Sequence, residues 1–273
     1  MDKRSALPKF QRPPVSEVAL AVLFSPLREW RSPHAGIYWG RIQERYPKTE
    51  SHPPLPPQIE KFDGDFPGAP QFHMEIVSPE RMRFWFLSEP PKYLIQVQSD
   101  RFIVNWRKLK ETKKYPKYLG GLRPRFEKEW QDFCLFLSDQ KIGGADVQQC
   151  ELTYVNTIFR GDGWDDSAGA IKLLRGWWHE RNEDFLPRPE SLAITASFQM
   201  PGQRGRLHFT VQPVFSSLEQ KAALQLQLVA RGKPASSQVE DVLAWMDLAH
   251  EWIVQGFVDL TSPLAHELWK RTA

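Results

Sequence analysis

Cysteine is scarce: two in 273 residues, Cys134 and Cys150, are too few for a disulfide framework. Both are expected as buried thiols, Cys134 on a helical stretch and Cys150 on a strand-like one. Long apolar runs are missing too, since nothing approaches the roughly 18 residues that a membrane span needs. The opening MDKRSALPKFQRPP carries charge with no apolar segment behind it, so a secretory leader is not expected. Charge of one sign is also in short supply. The 36 Lys and Arg against 33 Asp and Glu leave a formal net charge of +3, too small and too dispersed to argue for nucleic acid by itself. A cytoplasmic protein without membrane contact is the expectation.

Signatures of chemistry are missing as well. The seven histidines, at positions 34, 52, 73, 179, 208, 250 and 266, never fall one turn apart around a glutamate. His250-Glu251 and His266-Glu267 each lack the second imidazole that a zinc-protease helix supplies. Asp63-Gly64-Asp65 and the group Asp162, Asp165 and Asp166 do not complete the alternating oxygen ligands and later glutamate of a calcium loop, and they read as turns. No Gly-x-Ser-x-Gly elbow, phosphate loop or dinucleotide fingerprint occurs. No catalytic residue, metal or cofactor is therefore expected.

Aromatic residues are plentiful: 11 Trp and 17 Phe point to sheet faces packed with large rings, each burying roughly 150–250 Å². VSEVALAVLFSPL places Val18, Leu20, Val22 and Phe24 on one face of a strand that starts after Pro13 and Pro14. Ser32-Pro33 opens a short helix that Pro47 ends, and a long proline- and glycine-rich connection follows from His52 to Pro70. FHMEIVS, RMRFWFLSE, YLIQVQS and RFIVNWRK then read as an antiparallel meander, leading to a helix from about Pro116 to Asp139.

The same order of elements recurs. ADVQQCELTYVNTIFRG reads as a strand and AGAIKLLRGWWHER as a short helix; SLAITASFQM, GRLHFTVQPVF and AALQLQLVARG are strands. A last helix follows, in which Val242, Trp245, Ala249, Ile253, Phe257 and Leu260 recur every three or four residues. The expected fold is α+β, with a flexible tail over 1–12 and two strand–helix–strands–helix halves over 13–143 and 144–273. Antiparallel strands, in two sheets or in one curved sheet, would carry the long helices on one face.

Three groups of residues stand out. Trp30, Trp39, Trp164 and Trp269 lie near element ends and are candidate contacts for a protein partner, because Trp is a common interface anchor. Arg107, Lys108, Lys110, Lys113, Lys114 and Lys117, with Arg123 and Arg125 beyond them, face one acid, Glu111. With Tyr115 and Tyr118 interleaved, this stretch is the place where phosphates would be bound. Glu17, Arg83, Glu151, Asn156 and His250 are candidates for a polar network, since a buried carboxylate needs a partner.

PPVSEVALAVLFSPL, ELTYVNTI and AHEWIVQGFVDLTSPLAHELW, at the beginning, middle and end, resemble a bacterial family known only as sporadically distributed proteins of unknown function. Pro13, Pro14, Glu17, Val18, Tyr154, Asn156, Ala249, His250, Phe257 and Thr261 match its pattern. An arginine expected ahead of the tyrosine is replaced by Leu152-Thr153. The resemblance implies a patchy bacterial distribution of the kind seen for mobile or defence-associated genes, and no established reaction. Taken together, the first expectation is a non-catalytic accessory protein that engages a protein partner such as a toxin or defence effector. A nucleic-acid-binding component, and an enzyme or small-ligand binder, remain as alternatives. The oligomeric state is left open.

Overall fold

The computed structural model describes residues 7–56, 58–62, 82–110, 115–176, 190–217 and 219–272. The first strand is β1 (Val15–Phe24), followed by the helix α1 (Ser32–Ile42) and the strands β2 (Lys48–His52), β3 (Arg83–Leu87), β4 (Tyr93–Gln98) and β5 (Arg101–Arg107). A π-helical turn over Tyr118–Leu122 leads into α2 (Arg123–Asp139). Then come β6 (Val147–Phe159), α3 (Ser167–Lys172), β7 (Ile194–Gln199), β8 (Arg206–Ser216), β9 (Lys221–Gly232), α4 (Val239–Leu260) and α5 (Pro263–Leu268).

The nine strands among the described residues form one antiparallel sheet in the order β2-β3-β4-β5-β1-β6-β9-β8-β7. With the helices, this makes the chain α+β. Of the two sheet arrangements left open by the sequence, the single sheet is the one formed. β1 and β6 lie side by side at its centre, Leu20 opposite Leu152 and Val18 opposite Tyr154.

Strand alternation separates the two faces. Val18, Leu20, Val22 and Phe24 of β1, with Phe102, Val104 and Trp106 of β5, are buried in the main core. So are Leu152 of β6, Phe209 of β8 and Leu224, Leu226 and Leu228 of β9. Helix rings press onto that face. Phe133 of α2 stacks on Phe102 at 4.8 Å and meets Tyr38 edge-on at 5.4 Å, and Tyr38 of α1 touches Phe86 at 5.7 Å. On α4, Gly256 allows a close approach: a Cβ there would lie 2.6 Å from the Leu207 side chain. The opposite face carries Glu17, Gln96, Gln98, Arg101, Asn105, Gln149, Glu151, Arg206, His208 and Arg231 in register and forms the site described below.

Two elements went unread in the sequence. β2 is a polar pentapeptide with no apolar alternation, held by its pairing to β3, so periodicity could not reveal it. α5 also opens on a Ser-Pro pair, but here the serine is the cap: the Ser262 side chain accepts the Ala265 N–H and Pro263 starts the first turn. In α1 the cap is Arg31, and Ser32 is already the first helical residue. Residues 9–12, expected as part of a flexible tail, are held in place. Phe10 meets Phe257 edge-on at 5.4 Å, and the amides of Gln11 and Arg12 donate to the Lys270 and Trp269 carbonyls at 3.0 Å. The FHMEIVS strand signal, Asp63-Gly64-Asp65 and residues 1–6 fall outside the described residues. Among those described, no helix is long and apolar enough to cross a membrane.

Candidate functional site

The register of the central strands lines up side chains from distant parts of the chain in transverse rows on the polar face. One row runs Gln98, Arg101, Leu23, Gln149 across β4, β5, β1 and β6. The next runs Gln96, Ile103, Ala21, Glu151, Arg231, Arg206 and reaches β8. Apolar side chains occupy only the middle: Ala21, Leu23 and Ile103 form a small separate cluster. Amides flank it on both sides, and cations lie at the β8–β9 end.

Across these rows lies the segment that follows β2, and the sheet holds it as it would hold a ligand. Gln98 contacts both backbone groups of Leu55, its Oε1 accepting the N–H at 2.9 Å and its Nε2 donating to the carbonyl at 3.1 Å. The Leu55 side chain packs onto Ala21, Leu23 and Ile103. Arg101 Nη2 donates to the Pro56 carbonyl at 3.0 Å. Gln149 repeats the double contact, accepting from the Glu60 N–H at 2.7 Å and donating to the Gln58 carbonyl at 2.8 Å. The five steps from Leu55 to Glu60 reach at most about 17 Å, enough for three strand spacings of about 4.8 Å. Leu55 and Glu60 are thus spaced to bridge the sheet from β4 to β6.

Its carboxylate ends in a cradle of two arginines and a histidine. Arg206 Nη1 donates to Glu60 Oε2, His208 Nε2 donates to Oε1 at 2.5 Å, and Arg231 Nη1 lies 4.0 Å away. The Arg206 side chain is only 5% exposed and that of Glu60 9%. Burial alone would raise the Glu60 carboxyl, but the hydrogen bonds and charges of His208 and Arg206 outweigh it and hold the group below the ordinary carboxylate value. Arg206 also donates to the Lys61 carbonyl at 3.2 Å and lies 5.2 Å from the Phe62 ring centre. The other carboxylate of the row, Glu151, accepts from Arg231 Nε at 2.5 Å.

Toward β2, the same face continues as a chain of polar contacts. Asn105 Nδ2 donates to Glu17 at 2.7 Å, Gln96 Nε2 to Asn105 at 2.8 Å, and Arg83 Nη1 to Gln96 at 2.9 Å. Arg83 and Arg107 lie 5.3 and 5.5 Å from the Trp85 ring centre, and His52 lies against that ring at 3.9 Å, tilted by 35°. Burial raises the Glu17 carboxyl, against the opposing hydrogen bond of Asn105 and charge of Arg107, and burial likewise lowers Arg83 and Arg101. Arg83 Nε, Trp85 Nε1 and Arg107 Nε are buried and have no hydrogen-bond partner among the described residues.

On the apolar face, a second polar group is closed on itself. Tyr115 and Tyr154 share a hydroxyl hydrogen bond of 2.7 Å, Tyr154 contacts His250 Nδ1 at 3.1 Å, and Tyr118 stacks on the His250 ring at 4.0 Å. Tyr118 Oη and Arg123 Nε both donate to Asp247, at 3.0 and 2.9 Å. Burial, only partly offset by Asp247, pulls His250 down to about 4, so the ring is neutral at pH 7.

The residues singled out in the sequence scatter. Trp30 and Trp269 are buried, at 4% and 6% exposure, while Trp39 and Trp164 are packed against the same core with their ring N–H groups donated to the carbonyls of Tyr46 and Ile158. These four rings form no exposed patch. Of the basic stretch, Lys108 and Lys117 are exposed, Lys110 lies 3.5 Å from Glu219, Arg107 faces Trp85, and Lys113 and Lys114 lie outside the described residues. Beyond it, Arg123 is paired with Asp247 and Glu127, and Arg125 covers the Tyr93 ring at 3.8 Å.

The expected network splits across the sheet. Glu17 and Arg83 join through Asn105 and Gln96, and Glu151 joins Arg231 on the same face, but Asn156 and His250 sit on the other face, with Asn156 Nδ2 donating to the Leu226 carbonyl at 3.2 Å. Sequence reasoning missed Glu60, Gln98, Gln149, Arg206 and His208. The only sequence signal was the place of the last four on the wet side of alternating strands; Glu60, in the segment after β2, carried none.

Among the described residues, no group of three or more metal-ligating side chains comes together. A cavity of about 70 Å³ beside α3 is lined mainly by apolar groups, including Trp164, Ile171, Leu174, Val211 and Leu224. The fold and site together define an α+β sheet protein with one apolar, helix-contacting face and one polar face bearing a bound segment of its own chain. Neither protein-family models nor curated proteins gave a match to this sequence.

Proposed function

We propose that this chain is a non-catalytic binding protein that seats an extended, acidic segment of a protein partner across the polar face of its sheet. One observation carries the reading: Gln98 and Gln149 contact peptide backbone at both donor and acceptor, while Arg206, His208 and Arg231 surround a carboxylate. Side-chain amides that pair with main-chain groups recognise a polypeptide whatever its sequence, and a cationic cradle adds preference for an acid. Membership of the sporadically distributed family, a cytoplasmic setting and a toxin or defence effector as partner belong to this proposal. So does the division into two strand–helix–strands–helix halves meeting at β1 and β6, with the long helices on one side.

The test is cross-linking of the tagged chain in its native host, followed by mass spectrometry, with wild type, Arg206→Glu and Lys117→Glu compared. A partner cross-linked through an acidic segment to the polar face, and lost with Arg206→Glu alone, is the expected result. A partner retained by Arg206→Glu and lost with Lys117→Glu would overturn the reading in favour of the basic stretch. Binding to a nucleic acid that falls steeply with salt would mark that outcome as the nucleic-acid alternative.

A further inference from the structure

Resting on that reading, we infer that the segment Leu55–Glu60 is a built-in competitor for the partner's seat, and that the partner's own segment carries an aliphatic side chain followed five residues later by a carboxylate. The contacts of the strap are those of a recognition site rather than of a loop lying on a sheet. Its apolar side chain enters the only apolar spot in the row, at Ala21, Leu23 and Ile103. Its backbone is paired twice by amide side chains, at Leu55 and across Gln58 to Glu60. Its carboxylate is held by groups 146 and 148 residues away in the sequence.

Pro53 and Pro54 precede the anchor and Pro56 follows it. They bias this stretch toward an extended form before it binds, which lowers the entropy lost on docking. Gln58 and Ile59, by contrast, are exposed and leave their side chains unread. The recognised pattern is thus Leu-Pro-x-x-x-Glu or a chemical equivalent.

A tethered segment acts at an effective concentration on the order of millimolar. A free segment with the same contacts therefore binds poorly until the strap leaves, its apparent affinity reduced by the fraction of seats that are open. The strap sets a threshold: only a partner that adds contacts beyond those of the strap displaces it.

The experiment uses the full chain and a fluorescein-labelled peptide of residues 51–62, followed by anisotropy. Leu55→Ala combined with Glu60→Gln weakens the strap and leaves the seat intact. This chain is expected to bind the peptide at least tenfold more tightly than wild type. The gain should vanish when Arg206→Gln is added, or when the peptide itself carries Glu60→Gln. A strap variant with an unchanged cooperative melt and no gain in affinity would overturn the inference. If the double variant does not fold, Glu60→Gln alone serves: at least a threefold gain, with faster hydrogen exchange at the Leu55 amide, supports the inference, and wild-type values in both overturn it. Failure here with host cross-linking to the polar face intact removes the competitor and leaves the partner seat standing; loss of that cross-linking removes the seat itself.

Discussion

His250 should make the fold acid-labile in a defined window. Its ring lies among Tyr154, Tyr118 and, through Tyr154, Tyr115, with Asp247 as the nearest acid. Burial dominates and lowers the folded-state value from 6.5 to about 4. The unfolded chain therefore binds this proton first. Stability is complete above about pH 6.5 and falls as the pH drops through the range down to about 4.

That gap corresponds to roughly 3 kcal/mol at 1.36 kcal/mol per tenfold change in proton affinity, and partial solvent screening reduces it to about 2 kcal/mol. His250→Gln keeps a polar contact for Tyr154 and does not titrate. Urea unfolding at pH 7.5 and 4.5 should show wild type losing about 2 kcal/mol more than the variant between the two conditions. His266, also lowered by burial and by Arg271 and Arg175, is common to both chains and cancels in the comparison. Parallel losses in the two chains would mean that the imidazole charges in place beside Asp247, and the reasoning would fail.

Three other outcomes follow from the core. Phe133→Ala, at the ring that touches Phe24, Trp30, Tyr38, Phe102, Trp130 and Phe136, should cost about 4 kcal/mol in a denaturant melt. Glu129→Ala removes a 1%-exposed carboxylate that accepts from Arg45 at 2.8 Å and Tyr46 at 3.1 Å; because Arg45 keeps Asp132, thermal unfolding should report a loss near the lower end of the ~3–5 kcal/mol range for broken buried pairs. Burial raises both thiols, Cys134 to about 12 and Cys150 further, so a chromogenic disulfide reagent at pH 8 should label neither within minutes in the native protein and both in guanidinium.

Much of the architecture was legible in residue periodicity. Val18, Leu20, Val22 and Phe24 marked β1, and Val242 to Phe257 marked α4, because burial on one side leaves its period in the sequence. Register leaves no such trace. Gln98, Leu23 and Gln149 are each unremarkable polar or apolar members of an alternating strand, and only the pairing of β4 with β5, β5 with β1 and β1 with β6 sets them in one row. The tryptophans misled for a related reason. Trp30 lies outside any helix or strand and Trp269 just after α5, where sequence position mimics exposure, yet α2 covers Trp30, and Phe10 with Phe257 covers Trp269. The segment after His52 read as a plain surface connection, since nothing local in PPLPPQIEKF reveals that a sheet lies beneath it.

The polar face also explains why the strap and a partner would exclude one another instead of binding side by side. Arg206 is buried between β9, β7 and the strap, and a guanidinium that deep is costly to leave without a counter-carboxylate. Glu151 cannot supply it, because it is committed to Arg231 across the β6–β9 pair. When Glu60 leaves, the cradle must take another acid or stay open to water. That single vacancy makes the exchange one for one: a partner without a carboxylate would have to break the Glu60 contacts and leave Arg206 unpaired, a loss on the order of 3 kcal/mol or more. Selectivity for an acidic segment therefore follows from the cation's burial, with no need for a deep pocket. A partner segment in which glutamine replaces that acid should be rejected by the wild-type chain and accepted more readily by Arg206→Gln, where both sides of the contact are neutral.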